Sequence, residues 1–247
     1  MDRALYVAMS GATQTMRAQT ANNNNIANAS TTGFRAELIA LDPVAVQGAG
    51  LPTRVNAEAT TSGWDSSVGS IQSTGNPLDV ALRQDAWLAV QAPDGSTAYT
   101  RAGDLRVNAL GQMSTASGHA VMGDGGPVSV PPNSSITIGN DGTISMVPMG
   151  QGPQTQATVG RLKVVQAAPD QLVRGADGLM RAKAGVSLQD ASGTVLTSGA
   201  LESSNVDLAS ALVNMIQLSR QFEMQVKMMK TVEDNATSAS TLVRMNT

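Results

Sequence analysis

The chain has 247 residues, a formal net charge of −3, two each of Trp, Tyr and Phe, one His and no Cys. The lack of Cys excludes disulfides, thiol nucleophiles and Cys-based zinc sites, and the slightly acidic balance argues against a nucleic-acid-binding surface. His119 alone cannot build a multi-His site. We therefore expect no metal, no cofactor and no catalytic residues.

The first predicted element is a helix over residues 2–28, for which Asp2 can act as the N-cap. Apolar or small side chains recur in it at three- and four-residue steps, extended toward its end: Leu5, Met9, Ala12, Met16 and Ile26. This line is narrow, as in the seam of a coiled coil. The Asn, Ser and Thr side chains that follow compete with helical hydrogen bonds, so we predict that the helix ends near Asn28.

The middle of the chain, about residues 37–200, is predicted to be rich in short strands. It holds all ten prolines and nearly all the glycines. β-Compatible runs alternate with turn signals such as Asn140-Asp141-Gly142, a spacing typical of an all-β domain. Residues 37–75 show less periodicity. We expect an extended connector there, with one or two strands, before a β-rich domain at 76–200.

A second helix is predicted from Ser204 to the end, capped by Asn205 or Asp207. At about 30 residues it exceeds the usual 11–12. Its apolar line alternates four- and three-residue steps: Leu208, Leu212, Met215, Ser219, Phe222, Val226 and Met229. The predicted fold class is α+β, in which the terminal regions 1–36 and 201–247 pair as a coiled coil. Because each apolar line is too narrow for a stable helix, the pattern predicts assembly with partners.

Three blocks of the sequence resemble bacterial flagellar rod and hook proteins, in the order found in that family. They are residues 21–35 (ANNNNIANASTTGFR), residues 74–82 with 99–105 (TGNPLDVAL and YTRAGDL), and residues 199–206 with 215–216 and 220–223 (GALESSNV, MI and RQFE). Residues 84–88 (QDAWL) look like the proximal rod branch of the family. Ala86 stands where Gly is common, a change of one methyl group.

The resemblance implies a structural subunit of the basal-body rod, the drive shaft that crosses the periplasm between motor and hook. It implies partners among proximal and distal rod proteins, copies of the same chain, and the flagellar type III export apparatus. Subunits exported by that apparatus carry no cleaved signal peptide. In agreement, residues 1–10 lack a continuous apolar run, and no segment has the length of a membrane span.

The resemblance also implies that the terminal helices form the inner tube of the rod and the β-rich domain its outer shell. We expect the Asn side chains to fix helix register and Gly33 and Phe34 to anchor the turn after the first helix. The predicted assembly interface consists of Leu5, Met9, Ala12, Met16, Asn22, Asn23, Ile26, Asn28, Gly33, Phe34, Leu208, Leu212, Met215, Phe222, Val226 and Met229.

Other functions are compatible with parts of the pattern. A distal rod or hook subunit, or a different exported fibre subunit, shares the same layout. A hydrolase would need Ser134 or Ser135 with Asp124 and His119, but the chain has no nucleophile-elbow pattern. A calcium-binding β-roll would use Asp-Gly turns such as Asp141-Gly142, but the nonapeptide repeat of such rolls is absent.

Overall fold

The structure, a computed structural model, describes residues 3–45, 55–83, 85–152 and 154–245. The predicted cap Asp2 and Gln84 of the central block lie outside this part. The described residues divide into two compact units. The first draws on Met1–Ala29, Ala36–Asp65 and Val206–Thr247, and the second on Ser30–Arg35 and Ser66–Asn205.

The first unit contains both predicted helices and a long hairpin. Helix α1 spans Arg3–Ala27, and helix α2 spans Leu208–Met245 with 38 residues. The two helices pack together, which confirms the predicted pairing of the chain ends. Strands β1 (Glu37–Ala45) and β2 (Val55–Trp64) run antiparallel with a register shift at Leu38/Ile39. Residues 37–75, predicted as an extended connector, thus include this hairpin.

Helix α2 begins where a side chain satisfies its first free amides. Of the two predicted caps, Asp207 takes this role: its Oδ1 accepts the Ala209 amide at 3.1 Å, and its carboxylate also accepts the Ser210 hydroxyl. These bonds lower the pKa of Asp207. Farther along, Thr231 and Ser238 donate their hydroxyls to carbonyls four residues earlier. These Ser and Thr hydroxyls are thus satisfied within the helix itself.

The second unit confirms the β-rich middle of the chain. Its strands, in order, are β3 (Ile71–Ser73), β4 (Val80–Leu82), β5 (Ala86–Gln91), β6 (Thr97–Thr100), β7 (Leu105–Val107), β8 (Met113–Thr115), β9 (Met122–Gly123), β10 (Gly126–Pro127), β11 (Asn133–Ile138), β12 (Thr143–Pro148), β13 (Ala157–Arg161), β14 (Val164–Gln166), β15 (Leu172–Arg174), β16 (Met180–Ala182), β17 (Gln189–Asp190), β18 (Leu196–Ser198) and β19 (Ala200–Glu202). A 3₁₀ turn at Pro169–Gln171 precedes β15.

The largest sheet of this unit has the order β15-β16-β6-β5-β14-β17, and its paired strands are antiparallel. Strand β5 is buried on both faces from Ala86 to Val90, as its continuous apolar run requires. A second sheet, β11-β12-β13, turns at the predicted Asn140-Asp141-Gly142, where Asp141 Oδ1 accepts the Thr143 amide at 3.1 Å. The core is aliphatic: Leu82, Leu88, Val90, Leu105, Met113, Val121, Ile144, Leu162 and Leu196.

Candidate assembly surface and the Glu202 cluster

The two helices of the first unit run antiparallel. A Cβ placed on Gly11 would lie 3.0 Å from Nε2 of Gln225, and Asn22 Nδ2 donates to the Ala211 carbonyl at 2.9 Å. Moving forward along α1 therefore means moving backward along α2. Ala8 and Thr15, each 2% exposed, lie three and four residues from Gly11. Small side chains on this face let the helix backbones approach closely.

The face of α2 that is turned away from solvent follows a regular seven-residue pattern. Of the nine buried or half-buried positions that the structure describes in α2, all but Ser219 and Gln221 alternate four- and three-residue steps: Ala211, Met215, Leu218, Phe222, Gln225, Met229 and Val232. Three residues of the predicted line, Met215, Phe222 and Met229, belong to this set. The observed line differs from the predicted one in that it includes Ala211, which contacts Asn22, and Gln225, which lies beside Gly11.

The other predicted helix residues are placed as follows. On α1, Ala12 is buried, Leu5 and Ile26 are half-buried, and Met9 and Met16 are exposed. On α2, Leu208, Leu212 and Val226 are exposed. Three apolar residues of the predicted α2 line, Leu208, Leu212 and Val226, are thus open to solvent, whereas Met215, Phe222 and Met229 are half-buried.

Exposed apolar residues surround α2 on its remaining sides. We call the following set the outer apolar surface: Leu208, Leu212, Val213, Ile216, Met224, Val226, Met228 and Leu242. Each is between 41 and 67% exposed. Successive helix positions turn by about 100°, so these side chains cover several directions and not one stripe. Large exposed apolar residues concentrated on one element are typical of a surface that contacts other proteins.

The four-Asn run divides according to helix geometry. Asn22 binds the Ala211 carbonyl of α2, and Asn25, three residues later, pairs with Glu37. Asn25 Nδ2 donates to the Glu37 carbonyl at 2.9 Å, and Asn25 Oδ1 accepts the Glu37 amide at 2.8 Å. Asn23 and Asn24 are exposed. Two Asn side chains therefore fix contacts within the unit, while the other two are available outside it.

Asn28 and the two remaining predicted residues lie near the end of α1. Half-buried Asn28 donates its side-chain amide to the Asn24 carbonyl at 2.9 Å. Gly33 and Phe34 belong to the second unit. Gly33 has a φ of +66°, and the Phe34 ring centre lies 4.6 Å from Cζ of Arg174, a cation–π contact.

A buried ion cluster in the second unit is built around Glu202, which is 0% exposed. Glu202 Oε1 lies 2.6 Å from Arg35 Nη2 and accepts the Gly69 amide at 3.0 Å. Glu202 Oε2 lies 2.6 Å from Arg101 Nη2 and accepts Arg101 Nε at 2.8 Å. We call Glu202, Arg35 and Arg101 the Glu202 cluster.

The two arginines of the cluster are satisfied unequally. Besides its bonds to Glu202, Arg101 donates to the carbonyls of Leu82, Arg83 and Ala86, which occupies the full fork of the guanidinium. Burial lowers the pKa of Arg101, and Glu202 opposes that shift. Within the described part of the chain, Nε and Nη1 of Arg35 are buried without a hydrogen-bond partner. One carboxylate thus serves two guanidinium groups.

The sequence-based interface prediction missed this cluster. The sequence does contain a signal for the Glu202 cluster, because each of the three blocks that resemble the family includes one charged residue of the cluster: Arg35, Arg101 and Glu202. Hydrophobic periodicity does not detect such residues, since they lie outside the helical lines. Their pairing becomes visible only when the strands bring the three blocks together.

Two further properties bear on function. Among the described residues, no group of three or more His, Asp or Glu side chains is placed to hold a metal ion. Over the same residues, neither helix combines the length and the apolar character that crossing a membrane would require.

Comparison with known proteins gives three matches to family models along the chain. They are "Flagella basal body rod protein" over residues 5–35, "Flagellar hook protein FlgE/F/G D1 domain" over 81–146, and "Flagellar basal body rod FlgEFG protein C-terminal" over 197–242. Arg35, Arg101 and Glu202 fall in three different matched segments.

Similar proteins align over nearly the whole length. The chain is 47% identical to the flagellar basal-body rod protein FlgF of Escherichia coli (strain K12) and 46% identical to that of Salmonella typhimurium, with 100% of each chain covered. It is 32% identical to the flagellar basal-body rod protein FlgG of Bacillus subtilis (strain 168), over 95% of this chain and 96% of that protein.

Proposed function

Because the chain belongs to the family of flagellar basal-body rod proteins, we propose that it is a proximal rod subunit whose helices assemble into the hollow drive shaft between motor and hook. The family is structural and not enzymatic. Membership assigns the chain to the flagellar basal body, in association with other rod and hook components. We propose, beyond this, a position along the rod, a mode of helix assembly and a set of partners.

The observation that carries the proposal is the outer apolar surface of α2. Fully burying one such side chain contributes about 1.5–3 kcal/mol, so covering several of them is a strong drive for association. The occupants we propose are helices of other rod subunits and of further copies of this chain. The seven-residue spacing of the inward line of α2 supports coiled-coil packing between α1 and α2.

The predicted interface residues divide into two groups in this proposal. Exposed residues contact neighbouring subunits, namely Met9, Met16, Asn23, Leu208, Leu212 and Val226. The others set the shape of the subunit: Leu5, Ala12, Asn22, Ile26, Asn28, Met215, Phe222 and Met229 within the helical regions, and Gly33 and Phe34 in the turn beyond them. Methionine suits contacts with unlike neighbours because its side chain adapts to irregular gaps.

The proposed division of labour follows the chain. Residues 1–36 and 201–247 form the inner tube, residues 37–75 connect, and residues 76–200 form the outer shell. We propose that the subunit reaches the rod across the periplasm through the flagellar type III export apparatus, without a cleaved signal peptide. The packing of Arg3–Ala27 as a helix of the folded subunit supports retention of the N-terminal region.

A second candidate position is the distal rod or the hook. The observation in its favour is the alignment of nearly the whole chain to FlgG, a second kind of rod protein, at 32% identity. The higher identity to the two FlgF proteins favours the proximal position.

The test is deletion of the gene followed by complementation with Ile216→Asp. Ile216 is 52% exposed, so a charge there leaves the fold intact but opposes burial between subunits. We expect the deletion strain to lack complete rods and to be non-motile. We expect the variant to match the wild-type chain in thermal unfolding and to restore less than about a tenth of the motile cells, since loss of ~1.4 kcal/mol per contact is tenfold in affinity.

The matched control is Gln217→Asp, which adds the same charge one residue away without removing an apolar side chain. It should restore motility. Intact flagella in the deletion strain would reject the rod function, whereas full rescue by Ile216→Asp would reject only the role of the outer apolar surface.

A further inference from the structure

We propose that Glu202 is a positioning residue for rod assembly, because with Arg35 and Arg101 it clamps the segments by which the chain enters and leaves the β-rich unit. Only the consequence for assembly rests on the proposed function. The clamp itself is a property of the folded chain and can be measured without a flagellum.

The chain passes into or out of the β-rich unit four times. The chain enters the second unit at Ser30, leaves after Arg35, returns at Ser66 and leaves again after Asn205. Glu202, in the last of these segments, contacts the other two: its carboxylate binds Arg35 and the Gly69 amide, and its carbonyl accepts the Gly33 amide at 2.8 Å. One residue therefore holds three segments that are far apart in sequence.

Neighbouring contacts hold the same segments in place. The Asn205 amide donates to the Phe34 carbonyl at 3.3 Å, and Asn205 Nδ2 donates to the Ser67 carbonyl at 3.0 Å. Strand β19 pairs with β3, and the Ser70 and Ser203 hydroxyls lie 2.9 Å apart. The segments are thus joined to one another as well as to Glu202.

Arg101 ties this group of segments to the body of the unit. Its guanidinium binds Glu202 on one side and the carbonyls of Leu82 and Ala86 on the other. Leu82 and Ala86 end β4 and begin β5, the central strand of the core. Through Arg101, the crossing segments are fixed to an element that is itself immobilised by packing.

The charges explain why Glu202 is the central residue. It supplies the cluster's one carboxylate for two buried guanidinium groups, so its neutralisation leaves both without their charged partner. Removing one partner of a buried pair is far more disruptive than replacing the whole set by apolar groups. An exposed turn of the same unit has its own local bonds: the Gly95 amide donates to the Ala92 carbonyl at 2.9 Å.

The experiment is residue-resolved amide hydrogen exchange on the full chain carrying Glu202→Gln. The variant keeps the side-chain shape and loses the charge. We expect exchange of the Gly33 and Gly69 amides to accelerate about tenfold or more, since bonds within charged pairs are stronger than neutral ones. Exchange at Gly95, whose amide donates to the Ala92 carbonyl at 2.9 Å in an exposed turn, should change less than about twofold, because that turn opens without breaking the cluster.

A matched control removes an exposed ion pair in the same unit. Asp177 lies 2.8 Å from Arg181, and both side chains are partly exposed. Asp177→Asn should leave exchange at Gly33 and Gly69 unchanged. If Glu202→Gln does not fold, Arg35→Met serves instead: it removes one charge of the cluster together with the two orphaned donors, and we expect faster exchange at Gly33 alone.

The proposal is overturned if the folded variant leaves Gly33 and Gly69 unchanged, or accelerates Gly95 as much as both. In cells, we expect Glu202→Gln subunits to be produced normally but to support fewer rods than Asp177→Asn subunits. Normal rod numbers with a loosened clamp would reject its role in assembly. Motility of the deletion strain would reject the rod function and leave the exchange result standing.

Discussion

Gly33 illustrates how one residue can be fixed by two independent constraints. Its φ of +66° is a left-handed conformation that side chains disfavour. A Cβ at this position would also lie 2.3 Å from the carbonyl carbon of Arg101, which is backbone and cannot yield. The closeness of Gly33 to Arg101 follows from the Glu202 cluster, because the Gly33 amide binds the Glu202 carbonyl.

Gly33→Ala should therefore be much more damaging than the loss of conformational freedom alone. We expect its free energy of unfolding to fall by about 3 kcal/mol or more, because backbone strain and overpacking add. Urea denaturation measures the difference. The control is Gly118→Ala, where φ is +89° but nothing lies within 4 Å of the added Cβ, so the cost should be about 1–2 kcal/mol. Equal losses in the two variants would contradict the steric argument.

The sequence predicts Gly33 only in part. The polar run before it indicates a helix end, and Gly is the residue that a left-handed position requires. The close approach to Arg101 leaves no local trace, because it depends on residues that are distant in the chain. The same holds for Glu202 and Arg35, whose pairing is set by the path of the chain through β3 and β19.

At the scale of the element, periodicity predicts both helices but not the face that each buries. Helix α2 carries two overlapping lines, and the predicted one includes Leu212 and Val226. The structure buries the other line because its Ala211 and Gln225 fit Asn22 and Gly11 of α1. The fit between the side chains of the two facing helices thus decides which face is buried, and the hydrophobic periodicity of one helix does not contain that information.

Thr13 and Thr15 of α1 can test which face of this helix packs against α2, because their side chains make the same local hydrogen bond but differ in burial. Thr15 and Thr13 each donate their hydroxyl to the carbonyl four residues earlier, but Thr15 is 2% exposed whereas Thr13 lies in solvent. Thr15→Leu should lower the free energy of unfolding by about 1–3 kcal/mol through overpacking. Thr13→Leu should change it by less than about 0.5 kcal/mol. Thermal unfolding of both variants checks the order, and a larger effect at position 13 would place the wrong face in the seam.

For the whole molecule, the scarcity of aromatic residues follows from how each unit is built. The β-rich core is filled by Val, Leu, Ala and Met side chains between antiparallel strands, with Trp87 as its buried aromatic residue among those described. The helices pack through small residues of α1 against a face of α2 that holds one aromatic residue, Phe222. The subunit nevertheless retains exposed apolar surface on α2 that assembly can cover.

The outer apolar surface should make association depend on concentration even outside the cell. We expect the weight-average mass in sedimentation velocity to rise above that of the monomer as protein concentration increases. A chain with Ile216→Asp and Met224→Asp should stay monomeric, because burial of either charge between subunits is unfavourable and the two positions lie about two turns apart on α2. Glu202→Gln should still associate in solution, since it leaves the outer apolar surface unchanged, although its subunits are expected to build fewer rods in cells. Identical association of the doubly charged variant and the wild type would show that another surface drives assembly.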